Sequence, residues 1–320
     1  MVITETLIRR FVKDTNLPIH VFEEPYFSHF LELYEEHFQA KTLFAAFLRE
    51  LSQFENEGAY LAEYNRVKDA AITYLGQNPA MQRFSKEEDM SQYNIQNTNL
   101  CGNTVFKETS VGKTFLSIDM VKANFTALRH YDPAIVGGHV TYEDFIGMFT
   151  SSEYIKKSKY IRQVIFGNQN PRRQTKYEQH LMDMLLSYIY DVTNLTAANV
   201  AYFGADELVF DITDFLNDES FFEAISKALD WAKDQNIRVR AEYYQMVRIR
   251  GTAGYMKKFI APTTHKDIEL KGVVSYEMPF VIRALKGEPA HEYDGVFTWE
   301  KRLAKLISNI TPVFTTESIA

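Results

Sequence analysis

The sequence predicts an α+β fold: a mainly helical N-terminal region, followed by an antiparallel sheet with helices set against one face. Three observations carry that expectation. "EPYFSHFLELYEEHF" and "KTLFAAFLRELSQF" place apolar residues three and four apart with charges between them, as amphipathic helices do. From Thr114 onward, short apolar runs and helical stretches follow in the order strand, helices, hairpin, helix, strands. In the middle of that order, "NVAYFGADELVFDI" (Asn199–Ile212) joins two apolar runs through a glycine-containing bend, the pattern of a β-hairpin.

Element by element, residues 1–110 form the helical region, with "LPIHVFEE" as a short strand between helices. The pattern breaks into polar loop over Asn97–Thr109, which sets the boundary with residues 111–275. There, Thr114–Ile118 is a strand that Asp119 ends, and a helix follows to about His130. "TYEDFIGMFTSSEYIKKSKYIRQVIFGN" predicts two helices, the second running from near Ser152 to Gly167. A long helix follows Pro171, then come the hairpin and a helix over Glu219–Lys233. "RVRAEYYQMVRI", "YMKKFIAP" and "ELKGVVSY" predict strands, and residues 276–320 a C-terminal helical segment that begins with a helix at about Pro279–Leu285.

The 320 residues are 46% hydrophobic, with 19 Tyr and 24 Phe, enough to fill a large core. The aromatic richness of Tyr26–Phe38 reads as part of that core. A single cysteine, Cys101, excludes a disulfide framework and suits a reducing compartment. As a nucleophile it has no base near it in the sequence. No apolar run approaches the roughly 18 residues that cross a bilayer. The N-terminus lacks a signal-peptide core, so a cytoplasmic-type protein is expected. "SVGKT" (Ser110–Thr114) lacks the first glycine of a phosphate-binding loop and precedes a strand rather than a helix.

The net charge of −7 argues against a protein that coats nucleic acid indiscriminately. Yet Glu153–Lys176 holds seven basic residues against one acid, a local +6 on a remainder of −13. Such a band suits phosphates met at one defined place; the plain alternative is a solvated helix face. Asp119 ends a buried strand, where a carboxylate is costly unless paired, metal-bound or solvated. Counting by twos along the second hairpin strand, Glu207, Val209 and Asp211 share the less apolar face, and Asp206 occupies the turn just before. Taken alone, these acids could be a turn residue and a solvated strand end. If the two strands are neighbours, however, Asp119 and Glu207 meet at one end of the sheet, and a divalent cation would relieve their repulsion.

Four stretches carry a resemblance. "SIDMVKANF" is similar to a motif in which a strand ends in Asp and x-x-S-L-Y-P follows. "KYIRQVIFG" keeps the spacing of K-x-x-x-N-S-x-Y-G, with Gln163 for Asn and Phe166 for Tyr. "FGADELVF" is similar to Y-G-D-T-D-S-V-F, with Ala205 for the first Asp and Glu207 for the second. "YMKKFIAPTTHKDIELKGV" is similar to a K-K-x-Y region. In this order, over roughly Thr114–Val274, they resemble the palm domain of template-directed polymerases, most nearly the family B DNA polymerases.

The resemblance implies a metal-dependent nucleotidyl transfer from nucleoside triphosphates to a nucleic-acid primer. Asp119 and Glu207, with Asp206 beside them, would be the catalytic ligands of Mg²⁺ or Mn²⁺. Lys159, Arg162, Gln163, Phe166 and Gly167 would meet the incoming nucleotide. Asn124, five residues past the metal Asp, would face its sugar, or Phe125 would if the register slips by one. Lys257 and Lys258 would touch primer–template, and Arg172 and Arg173 at a helix start suit its backbone phosphates. There is no room for a proofreading exonuclease and little for a thumb, which would suit an accessory enzyme of a virus or mobile element. The loss of an Asp at Ala205 leaves a second reading, a palm-like nucleic-acid-binding or interaction protein without chemistry.

Overall fold

Local signals explain where most helices begin. In the computed structural model, which describes residues 3–100, 104–260 and 267–318, helix α1 (Glu5–Thr15) is capped by the Thr4 side chain, which accepts from the Leu7 amide. Helices α2 (Tyr26–Leu33), α3 (Glu35–Phe38), α4 (Ala40–Leu51), α5 (Glu57–Gln77) and α6 (Pro79–Gln82) follow, and Asn56 and Asn78 cap the last two. Strand β1 (Thr114–Met120) leads into α7 (Ala123–Tyr131), α8 (Tyr142–Gly147), α9 (Glu153–Lys157) and α10 (Lys159–Gly167). The 22-residue α11 (Pro171–Val192) starts on a proline, which tolerates the first turn because its missing amide had no partner there.

The hairpin of β2 (Val200–Phe203) and β3 (Glu207–Asp211) comes next, then α12 (Glu219–Asp234) capped by Asp218. Strands β4 (Val239–Arg250), β5 (Tyr255–Phe259) and β6 (Ile268–Lys271) precede α13 (Met278–Lys286), which ends at Gly287 in the left-handed conformation, φ 66°. Two further strands, β7 (Val296–Trp299) and β8 (Arg302–Lys305), pair only with each other, and β9 (Val313–Thr315) joins β4.

The main sheet has the order β2-β3-β1-β4-β5-β6, and every neighbouring pair is antiparallel. Chain order and spatial order together make a split βαβ arrangement: β3 lies between β1 and β2, and β1 lies between β3 and β4. The helical connections, α7 to α11 and then α12, cover one face, where Leu116, Ile118, Leu208 and Phe210 enter the main core. That same core continues through Phe11, Phe47 and Tyr60 of the N-terminal helices, so residues 1–110 and 111–275 share one apolar interior. The α+β expectation holds. Among the described residues no helix is long and apolar enough to cross a membrane.

Three local expectations change. "LPIHVFEE" is not a strand: Leu17, Ile19 and Val21 are buried alternately, as in a strand, but against helices and without a ladder partner. The helix expected from Ser152 to Gly167 breaks at Ser158, whose hydroxyl accepts from Ile161 N as the cap of α10. The C-terminal segment, residues 276–320, is helical only over α13; beyond it, the chain forms β7, β8 and β9. Cys101 lies outside the described residues, as do residues 261 and 262 at the end of the expected strand "YMKKFIAP".

Candidate functional site

Alternation along β1 decides what reaches the face away from the helices. Phe115, Ser117 and Asp119 point there, and the antiparallel register sets Asp119 directly opposite Glu207 of β3 and Arg240 of β4. Ser117 lies between Val209 and Glu242 by the same register. One end of this face is covered by a small apolar cluster of Val105, Phe115, Val209, Tyr244 and Met246. At the other end stand the acids.

Each acid has its own surroundings. An Arg240 Nη donates to Asp119 Oδ2 at 3.0 Å, while Arg240 Nε lies 3.2 Å from Glu242 Oε1. Burial nevertheless pushes the Asp119 carboxyl up to about 6; Arg240 opposes the rise, and the charges of Glu207, Asp206 and Glu242 add to it. Asp206 is raised too, by burial first and Glu207 second. Its carbonyl accepts from Met120 N at 2.7 Å, which pins the hairpin turn to the end of β1 and so holds Asp206 beside Asp119. Glu207 Oε1 accepts from Ser117 Oγ at 2.6 Å and lies 3.5 Å from Lys257 Nζ.

At the hairpin bend, Gly204 lies under the tip of the Tyr202 ring. A Cβ on Gly204 would stand 2.5 Å from the Tyr202 hydroxyl. Beside the bend, a cavity of about 550 Å³ lies between Phe106, Thr175 and Gln179 of α11, Tyr202, Gly204 and Glu207. Among the described residues no basic side chain lines it.

A fourth carboxyl escaped the sequence reading. Glu178 of α11 is 4% exposed, and Asn124 Nδ2 donates to its Oε1 at 2.8 Å. Burial, and then the charge of Asp206, push it up to about 7. Its only sequence signal is an acid on the apolar side of a long helix. Lys122 was missed as well. Three residues past Asp119, it pairs with Glu143 and lies 5.6 Å from the Tyr142 ring, over which Arg162 also stands at 5.7 Å.

Of the expected nucleotide-binding residues, Arg162 comes near the β1 end through Tyr142, and Asn124 reaches Glu178. Phe125 does not compete with Asn124 for a sugar, because it is 1% exposed and packs on Tyr142 and Phe145. Lys159 and Gln163 are exposed on α10. Phe166 is a correction: it is fully buried against Tyr142 and Phe145, on the core stripe of its helix. Gly167 is exposed with open space around it, so nothing in the chain itself demands a glycine there.

The expected nucleic-acid contacts also need correction. Arg173 donates to the carbonyls of Phe84 and Glu88 at 3.0 and 2.7 Å, which commits it to ending the turn over Arg83–Glu87. Arg172 is exposed. Lys257, 3% exposed, lies between Glu207, Glu269 at 3.7 Å and the Tyr244 ring at 4.7 Å. Lys258 is exposed on the opposite face, since neighbours on a strand point apart. The pair cannot grip one strand of nucleic acid together.

Among the described residues, no three His, Cys, Asp or Glu side chains already converge as a cation cage. Asp119, Asp206 and Glu207 are nonetheless hard oxygen donors at one sheet end; burial first raises Asp119 and Asp206, and the charge of Glu207 adds to both. Carboxylate oxygens are the donor type that Mg²⁺ and Mn²⁺ take, but Arg240 already pairs with Asp119, and Lys257 with Glu207. No family model, no curated protein and no solved structure matches this chain.

Proposed function

We propose that the protein is a metal-dependent nucleotidyltransferase of the polymerase-palm type, acting on nucleoside triphosphates and a nucleic-acid primer. The observation that carries this reading is the register of Asp119 opposite Glu207, with Asp206 pinned to the same end of an antiparallel sheet whose other face is covered by helices. Asp119, Asp206 and Glu207 would hold Mg²⁺ or Mn²⁺, which supplies positive charge to the attacking and leaving oxygens of phosphoryl transfer. Lys122 and Arg162, beside Tyr142, would hold the triphosphate, with Lys159 at the exposed start of α10. Asn124, which can both donate and accept, would meet the sugar. The cavity beside Glu207, which no basic side chain lines among the described residues, suits an uncharged base and sugar of the primer end.

The Arg240–Asp119 and Lys257–Glu207 pairs favour a second reading, in which built-in cations have replaced the metal and the fold binds nucleic acid without chemistry. Incubation with labelled primer–template, Mg²⁺ or Mn²⁺ and each set of nucleotides decides between them. Incorporation by the wild type, lost in Asp119→Ala with an unchanged circular-dichroism spectrum, is the expected result. No incorporation under any combination would leave only the second reading.

A further inference from the structure

The β7–β8 hairpin stands outside the main sheet and turns one of its faces to solvent. Its register sets Trp299 opposite Arg302 and Phe297 opposite Ala304, so these four share a face. The other face is used for anchoring: Val296 is 7% exposed in the main core, and Thr298 Oγ1 donates to the His20 carbonyl at 3.1 Å. On the outward face, Tyr276 packs its ring 5.8 Å from Phe297, and Trp299 follows two residues further on, 65% exposed. Three aromatic rings therefore run along one side of a hairpin whose same face carries Arg302 and whose turn carries Glu300 and Lys301, while Lys305, opposite Val296, lies on the other face.

Apolar rings left in water need a partner, and the local positive charge, on a chain of −7, says which kind. The turn adds a second sign. Glu300 and Lys301 both hold left-handed backbone, φ 46° and 64°, at positions where Asn-Gly would sit with less strain. The chain thus keeps charged side chains at the tip, next to Trp299 and Arg302.

We infer that the Tyr276–Phe297–Trp299 ladder with Arg302 and the turn residue Lys301 is a docking platform for single-stranded nucleic acid. Bases would stack on the rings, and the cations would follow the phosphates. A duplex hides the faces of its bases, so single strands are the form this surface takes. The platform does not depend on metal chemistry at Asp119.

The test uses the full chain and titrates tryptophan fluorescence with an oligothymidylate of roughly ten nucleotides. The other tryptophan, Trp231, is stacked on Tyr188 at 4.6 Å, and Trp299→Phe identifies its share of the signal. Binding should quench Trp299. Trp299→Ala should weaken affinity roughly 10-fold, and an abasic deoxyribose-phosphate strand of equal length should bind wild type about as weakly. Arg302→Ala should weaken both strands and flatten the salt dependence. Binding should be the same with and without EDTA, which separates this platform from any divalent-cation site at the acids. Equal affinity of wild type for thymidylate and abasic strands would overturn the inference. So would undiminished binding by Trp299→Ala, which would leave the rings as a protein-docking face; Trp299 is exposed enough that its loss spares the fold.

Discussion

Glu178 shows how position alone sets a carboxyl's chemistry. It is 4% exposed and faces the charge of Asp206; burial first and that charge second carry it from an ordinary value near 4.5 to about 7, against the opposing hydrogen bond from Asn124. A carboxyl raised in this way holds its proton more tightly in the folded chain than in the unfolded one. It therefore favours folding below its unfolded value, and that advantage is lost as pH rises through 7. Glu178→Gln keeps an oxygen for Asn124 and removes the buried charge. At pH 8 it should raise stability by about 2 kcal/mol, and near pH 4.5 it should match wild type, as read from urea midpoints. An offset that does not change with pH would mean that Glu178 is not the titrating group. Asp119, raised to about 6, follows the same sign at lower pH, while Arg240 beside it limits the effect.

At the scale of elements, Ser158 is where one expected helix becomes two. Its hydroxyl accepts from Ile161 N to start α10 and donates at 2.7 Å to the buried Asp14 of α1, which the Tyr64 hydroxyl also approaches. One side chain thus begins a helix and ties it to another, and the chain gives up continuity between α9 and α10 to do so. Ser158→Ala loses a cap, about 1 kcal/mol, and leaves Asp14 one donor short, about 1–3 kcal/mol. A loss of roughly 2–3 kcal/mol in urea unfolding is expected. A loss under about 0.5 kcal/mol, typical of ordinary surface changes, would show that the tie is idle. Periodicity gave no warning of the break, because the apolar spacing runs through it. The strands were easier. Period-two counting along Glu207–Ile212 correctly told which side chains share a face, since the pleat imposes it.

For the whole molecule, the division into helical and sheet regions does not divide the core. Phe11, Phe47 and Tyr60 belong to the same buried cluster as Leu116, Ile118 and Phe210. Neither region can lose its partner without exposing that surface, so denaturant unfolding should follow one transition, with circular dichroism and Trp231 fluorescence superimposing. Two separated transitions would show that residues 1–110 unfold independently of the sheet.

The sequence by itself determined the α+β class, the approximate places of the sheet strands β1 to β6 and the shared face of Glu207, Val209 and Asp211, consequences of short-range periodicity and turn chemistry; that β1 lies beside β3, so that Asp119 meets Glu207, is a matter of tertiary pairing. It also marked Asp206 as a turn acid. Only the tertiary structure decided that Phe166 and Arg173 serve the interior, that Lys257 lies buried beside Glu207, and that Glu178 approaches Asp206 from α11. The reason is physical. A motif records spacing along the chain, whereas burial and charge pairing depend on elements tens of residues away. A lysine on a strand or a phenylalanine on a helix therefore carries no mark of its role until its neighbours are in place.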